Sequence, residues 1–121
     1  MMTRNHHPSA LRLGLALLLL LCSVTAKAIT VDEVPNVHVA DRSRYVSNPS
    51  GVLSDAAVRS LDAEIGSLWT DTSVELAVVA VDRVDASMTP EEFATKLFEK
   101  WGIGKKDKDN GILVLLSRDD H

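Results

Sequence analysis

Two short aliphatic runs, VELAVVAV at 74–81 and ILVLL at 112–116, constrain this chain more than any other feature. Each is brief, rich in branched side chains and almost without polar alternation. That pattern predicts a strand covered on both faces of a sheet. About 30 residues separate the runs, and they contain one helix-forming stretch. A strand, a crossover with one helix and a second strand form a βαβ unit, which favours parallel pairing with a right-handed connection.

The helix of that crossover carries its own start and stop signals. Thr89-Pro90-Glu91-Glu92 reads as a capping box with proline at the first helical position. Phe93, Leu97, Phe98 and Trp101 fall on one face, and Gly102 and Gly104 end the helix. A second helix precedes the first run. Asn48-Pro49-Ser50-Gly51 predicts a tight turn, Ser54 a cap and Asp55 a favourable charge at the helix start. Val58, Leu61, Ile65 and Leu68 supply the apolar stripe. Residues 29–44, with a short alternation at Val37 and Val39 and a break at Pro35, predict an extended N-terminal arm.

Residues 1–28 have a different character. Arg4 and Arg12 precede an apolar stretch of 12 residues, LGLALLLLLCSV, and Ala26-Lys27-Ala28 has the small-x-small form of a cleavage site. The expectation is a secretory signal peptide cut after Ala28, since a membrane span needs about 18 to 20 apolar residues. Leu21 is too large for the position before a lipidated cysteine, which argues against Cys22 as a lipoprotein site. The protein is then expected outside the cytoplasm: periplasmic, secreted, or anchored on the outer side of a membrane.

The 93 residues that remain suffice for one small domain. Three of the 13 Lys/Arg and none of the 17 Asp/Glu lie in the first 28 residues, so the rest carries ten against 17, a net charge of −7. An acidic surface repels nucleic acid and anionic lipid, so no nucleic-acid partner is expected and cations are the more natural ligands. Cys22 is the single cysteine, so the part after Ala28 has no thiol for a disulfide, a zinc site or a nucleophile. His38 and His121, its two histidines, are too isolated to mark a zinc site or a triad.

The segment WGIGKKDKDNGILVLL, 101–116, invites several readings. A dinucleotide fingerprint fails because its glycines follow a helix and its sixth position is Asp107. A Walker A loop fails because Lys106 stands where a Ser or Thr should hold the metal. Counted from Asp107, an EF-hand places Gly111 fifth instead of sixth and Arg118 at the position of the bidentate glutamate. Two readings stay open for Asp107, Asp109 and Asn110. One is a solvated charged loop closing on an Asn-Gly turn, and the other is a cation site at the mouth of a strand. Trp101 and Phe98 are expected in the core.

YVSNPSGVLS at 45–54, the strand at 74–81 and FATKLFEKWGIGKKDKDNGILVLLSRDD at 93–120 together resemble the TPM domain family, which includes thylakoid lumen proteins and exported bacterial proteins. The resemblance spans 45–121, with the W-G-I-G, charged loop, N-G, aliphatic series as its most specific part. It implies an α/β layered sandwich with a partly parallel sheet and flanking helices, a divalent cation, calcium or alternatively magnesium, and in plant members a phosphatase-like activity. Asn48 stands where the family has Asp, and the family's domain continues past the position of His121, where relatives also carry a membrane anchor. With the resemblance in hand, Asp109 and Asn110 are expected nearest the cation, with Asn48 arriving from the turn and Asp107 assisting. Two functions are expected: a cation-binding module of the cell envelope with a protein partner in assembly or maintenance, or a metal-dependent acid phosphatase acting on phosphoesters. No nucleophile or general acid stands out for the second.

Overall fold

The computed structural model describes residues 28–104 and 108–120. Strand β1 (Ala28–Ile29) leads into a short 3-10 turn (Val31–Glu33) and helix α1 (Val37–Ala40), followed by strand β2 (Val46–Ser47). Helix α2 (Asp55–Thr72), strands β3 (Glu75–Val81) and β4 (Arg83–Val84), helix α3 (Pro90–Trp101) and strand β5 (Gly111–Ser117) complete the chain order.

Both long strands form where the aliphatic runs predict them, and they pair in parallel from Glu75 opposite Gly111 to Val81 opposite Ser117. Strand β2 pairs with the other side of β3, also in parallel, with Val46 opposite Val78 and Ser47 opposite Val79. The sheet order is therefore β2-β3-β5, and β1 and β4 make a separate parallel pair.

Because side chains alternate along a strand, β3 divides the core in two. Val79 and Val81 face α3, where they meet Phe93, Leu97 and Val34, with Leu113 and Leu115 packed alongside. Val78 faces α2 and joins Val46 and Ile65, with Leu61, Val58 and Leu76 around them. Phe93 and Leu97 are fully buried. Each such side chain stabilises the fold by about 1.5–3 kcal/mol relative to exposure.

The helix ends behave as their sequences require. Ser54 Oγ accepts from Ala57 N, while Thr89 and Glu92 exchange the reciprocal bonds of a capping box. Gly102, at φ 60°, closes α3 in the left-handed region, and Gly51 N donates to Asn48 O to close the turn before α2.

Two expectations need correction. Residues 29–44 are not extended throughout: they contain β1, the 3-10 turn and α1. Val34 draws this segment inward, because its side chain is buried in the α3-side core. Strand β5 is not covered on both faces either. Ile112, Val114 and Leu116 are 44–46% exposed, while Leu113 and Leu115 pack inward. The reason is position: β5 ends the sheet, and α2 packs over β2 and β3.

Candidate functional site

The direction of the strands fixes which loops are neighbours. All three strands of the main sheet run the same way, so it has an amino-terminal edge and a carboxyl-terminal edge. Asp109 and Asn110 lead into β5 and lie at the amino-terminal edge. Asp109 there is exposed and adopts φ 47°. Asn110 is tied into the framework, since its Nδ2 donates to Ser73 O at 2.8 Å and its carbonyl accepts from Glu75 N at 2.8 Å. Asp107 falls outside the described residues.

Asn48 lies at the opposite edge. It follows Ser47, which is level with Val79 and therefore with Leu115, whereas Asn110 precedes Gly111. Six strand residues separate the two levels, roughly 20 Å at about 3.3 Å per residue. Its side chain also has a structural task. Asn48 Oδ1 accepts from Leu53 N at 3.1 Å and Nδ2 donates to Leu53 O at 2.8 Å, a two-bond clamp on the turn. The structure thus brings Asp109 and Asn110 together and keeps Asn48 apart from them.

Parallel α/β sheets gather ligands at the carboxyl ends of their strands. Here that edge carries Asp82 after β3, and Arg118, Asp119 and Asp120 after β5. The chain closes this corner with its own backbone, Asp119 N donating to Asp82 O at 2.8 Å and Arg118 N to Val81 O at 3.0 Å. Arg118 sits between two carboxylates. Its Nε donates to Asp119 Oδ1 at 3.1 Å, and its Nη2 lies 2.7 Å from Asp82 Oδ1, close in charge but not aligned as a hydrogen bond. The hydrogen bond from the guanidinium holds the Asp119 carboxyl below its ordinary range. Asp120 Oδ2 accepts from Val84 N at 2.8 Å and from the Ser117 hydroxyl.

The donors at this edge are hard oxygens, the chemistry that calcium and magnesium prefer. The arrangement is filled by Arg118, however, and among the described residues no group of three or more His, Cys, Asp or Glu stands ready to hold a metal. A cation would have to take the place of the guanidinium. Sequence reasoning passed over these residues because it weighed the loop entering β5, although the acidic residues directly after each aliphatic run carried the signal.

The W-G-I-G series has a different location. Trp101, Gly102 and Ile103 line a half-open cleft of ≈ 470 Å³ at the amino-terminal edge, together with Tyr45, Ser47 and Trp69. His38 stacks on Tyr45 with ring centroids 4.7 Å apart. Trp101 also packs on the α3-side core, so it serves the core and the cleft wall at once.

A three-stranded parallel sheet with a helix on each face, threaded in this order, defines an α/β domain of the layered kind. The TPM domain family model matches residues 46–121, and the chain belongs to that family. The structure is similar to the solution NMR structure of the N-terminal domain of a protein from P. gingivalis, at 29% identity and a TM-score of 0.64. That likeness covers 74% of this chain and 58% of the other, so the chain spans little more than half the length of that solved structure. No curated protein matches this chain.

Proposed function

We propose that this TPM-domain protein is exported by its N-terminal segment and acts as a cation-binding module of the cell envelope, serving the assembly or maintenance of a partner protein. The observation that carries the cation reading is the pair of carboxylates, Asp82 and Asp119, that flank the Arg118 guanidinium at the carboxyl edge of a parallel sheet. Arg118 neutralises that pair in the absence of metal, and a divalent cation, calcium or magnesium, replaces it. A site that exchanges one internal cation for another gains little net Coulomb energy. Affinity belongs with weak extracellular modules, about 10⁻⁴ to 10⁻³ M for calcium.

The test is calorimetric titration of calcium and of magnesium into the purified protein and its Asp119→Asn and Asp109→Ala variants. Weak binding that Asp119→Asn abolishes and Asp109→Ala leaves intact supports the carboxyl edge. Loss in Asp109→Ala alone returns the site to the loop, and no binding by the parent sinks the cation reading. A parallel assay of p-nitrophenyl phosphate turnover with and without calcium separates a binding module from the metal-dependent phosphatase, which metal-stimulated turnover would favour.

A further inference from the structure

Strand β2 is only two residues long, and it pairs with β3 at Val78 and Val79 alone. The upstream half of β3 consequently has an open side. Glu75 N donates toward β5, to Asn110 O, and Val78 N donates toward β2, to Tyr45 O. Alternation along the strand turns the N–H and C=O of Leu76 toward the β2 side as well. The chain upstream of β2 supplies no backbone bond there, although Asn36, Val37, His38 and Arg42 line the same cleft. Tyr45 N and Val46 N both donate to Asp62 Oδ1, at 2.7 and 3.1 Å, and the backbone before them leaves the sheet. Among the described residues no backbone group bonds Leu76 from that side.

The aromatic cleft lies at this notch. Leu76 and Ala77 line it beside Tyr45, Ser47, Trp69 and Trp101. Ser47 pairs with Val79 and so presents its side chain on the same face as Ala77. It is 1% exposed, and its hydroxyl has no hydrogen-bond partner among the described residues. A buried hydroxyl without a partner is destabilising, so a ligand that satisfies it recovers that cost. Trp69, by contrast, is 39% exposed on the rim, where a large apolar surface gains from being covered.

These groups are of different kinds and ask for one ligand. The open rung at Leu76 requires a partner that offers a backbone C=O and N–H at strand spacing. The rings require an apolar side chain, and Ser47 requires a polar atom at the end of it. A free aromatic molecule meets the second and third demands but not the first.

We infer that the cleft is a docking site for an extended peptide segment of a partner protein, which adds to the open edge of β3 at Leu76, seats a tyrosine-like side chain against Trp101 with its hydroxyl at Ser47, and covers Trp69 with the apolar side chain next to it. Strand addition of this kind draws affinity from main-chain bonds and specificity from the pocket beside them. The site is independent of the cation reading, because it lies at the other edge of the sheet.

The experiment uses the purified protein and three probes: the blocked peptide acetyl-Val-Tyr-Val-amide, the same peptide methylated on its backbone nitrogens, and p-cresol. Amide NMR shifts and tryptophan fluorescence follow binding. The peptide is expected to move the Leu76 and Ser47 amide signals and to change the indole emission, with the methylated peptide and p-cresol at least about tenfold weaker. Trp69→Ala and Ser47→Ala should each weaken the peptide by about tenfold while leaving the circular dichroism unchanged. No shift at millimolar peptide overturns the proposal. Equal binding of the methylated peptide or p-cresol overturns strand addition, and shifts confined to 112–116 place docking on β5 instead.

Discussion

At the scale of single residues, Gly104 and Asp62 show how much one position carries. Gly104 has φ 81°, and a Cβ there would stand 2.6 Å from Gly111 N and 2.8 Å from its Cα. Backbone lies on the other side of that clash, so it is not relieved by a rotamer change. Gly102 is left-handed too, at φ 60°, but nothing lies within 4 Å of its Cβ position. Gly104→Ala should therefore destabilise by about 2–4 kcal/mol and Gly102→Ala by about 1 kcal/mol, measured by urea unfolding. Equal losses would mean that the approach of Gly104 to Gly111 does not matter. Asp62 reaches from α2 to accept two backbone donors at the start of β2. Asp62→Ala leaves both orphaned and should cost about 2–3 kcal/mol. If its urea midpoint matches the parent's, water replaces the carboxylate without loss.

At the scale of elements, the two long strands look alike in sequence and differ in setting. Val78 is 9% exposed between α2 and the neighbouring strands, so Val78→Asp places an unpaired charge in the core and should abolish folding as seen by circular dichroism. Leu115→Asp should act similarly, because its side chain packs on the α3 side. Ile112→Asp, on the exposed face of the same strand at 46%, should change stability by no more than about 1 kcal/mol. An unfolded Ile112→Asp would show that this face is covered in solution. The aliphatic run could not disclose the difference, since burial on one face or two depends on which helix reaches the strand. The capping signals of α2 and α3, in contrast, are local chemistry, and both helices begin where Ser54 and Thr89 place them.

At the scale of the whole molecule, charge sets the response to pH. Neighbours hold several surface carboxyls below their ordinary range: Asp32 through its hydrogen bond with Lys100, Asp41 through Ser43, Asp85 through Ser87, Glu92 through Thr89 and Asp119 through Arg118. A carboxyl whose folded-state pKa is depressed contributes stability that is present above its unfolded pKa, about 4, and is lost as pH falls through the folded value. Urea midpoints should therefore be flat from about pH 6 to 8 and decline below about pH 4. Asp32, Asp41 and Glu92 are exposed and Asp85 and Asp119 half-buried, so the loss should be gradual and partly screened by salt. A midpoint that rises on acidification would show that repulsion within the acidic surface outweighs these local bonds.

Sequence alone determined what rests on contacts between near neighbours. The caps, the turn at Asn48, the glycine stop of α3, the two strands and their parallel pairing all follow from spacing within a few dozen residues, and the family was legible in the W-G-I-G to N-G series. What the tertiary structure decided is direction and coverage. Asn48 and Asn110 are both amides beside turns, yet a parallel sheet sends one to each edge, and no local pattern encodes the roughly 20 Å between them. Asp82 and Asp119 lie 37 positions apart in the chain and share one guanidinium because β3 and β5 end side by side. Strand β2 begins only at Val46, leaving the notch at Leu76, because Asp62 of a distant helix turn captures the amides of Tyr45 and Val46. Hydrogen bonds between segments far apart in sequence fix such features, and they come into being only when the chain has closed on itself.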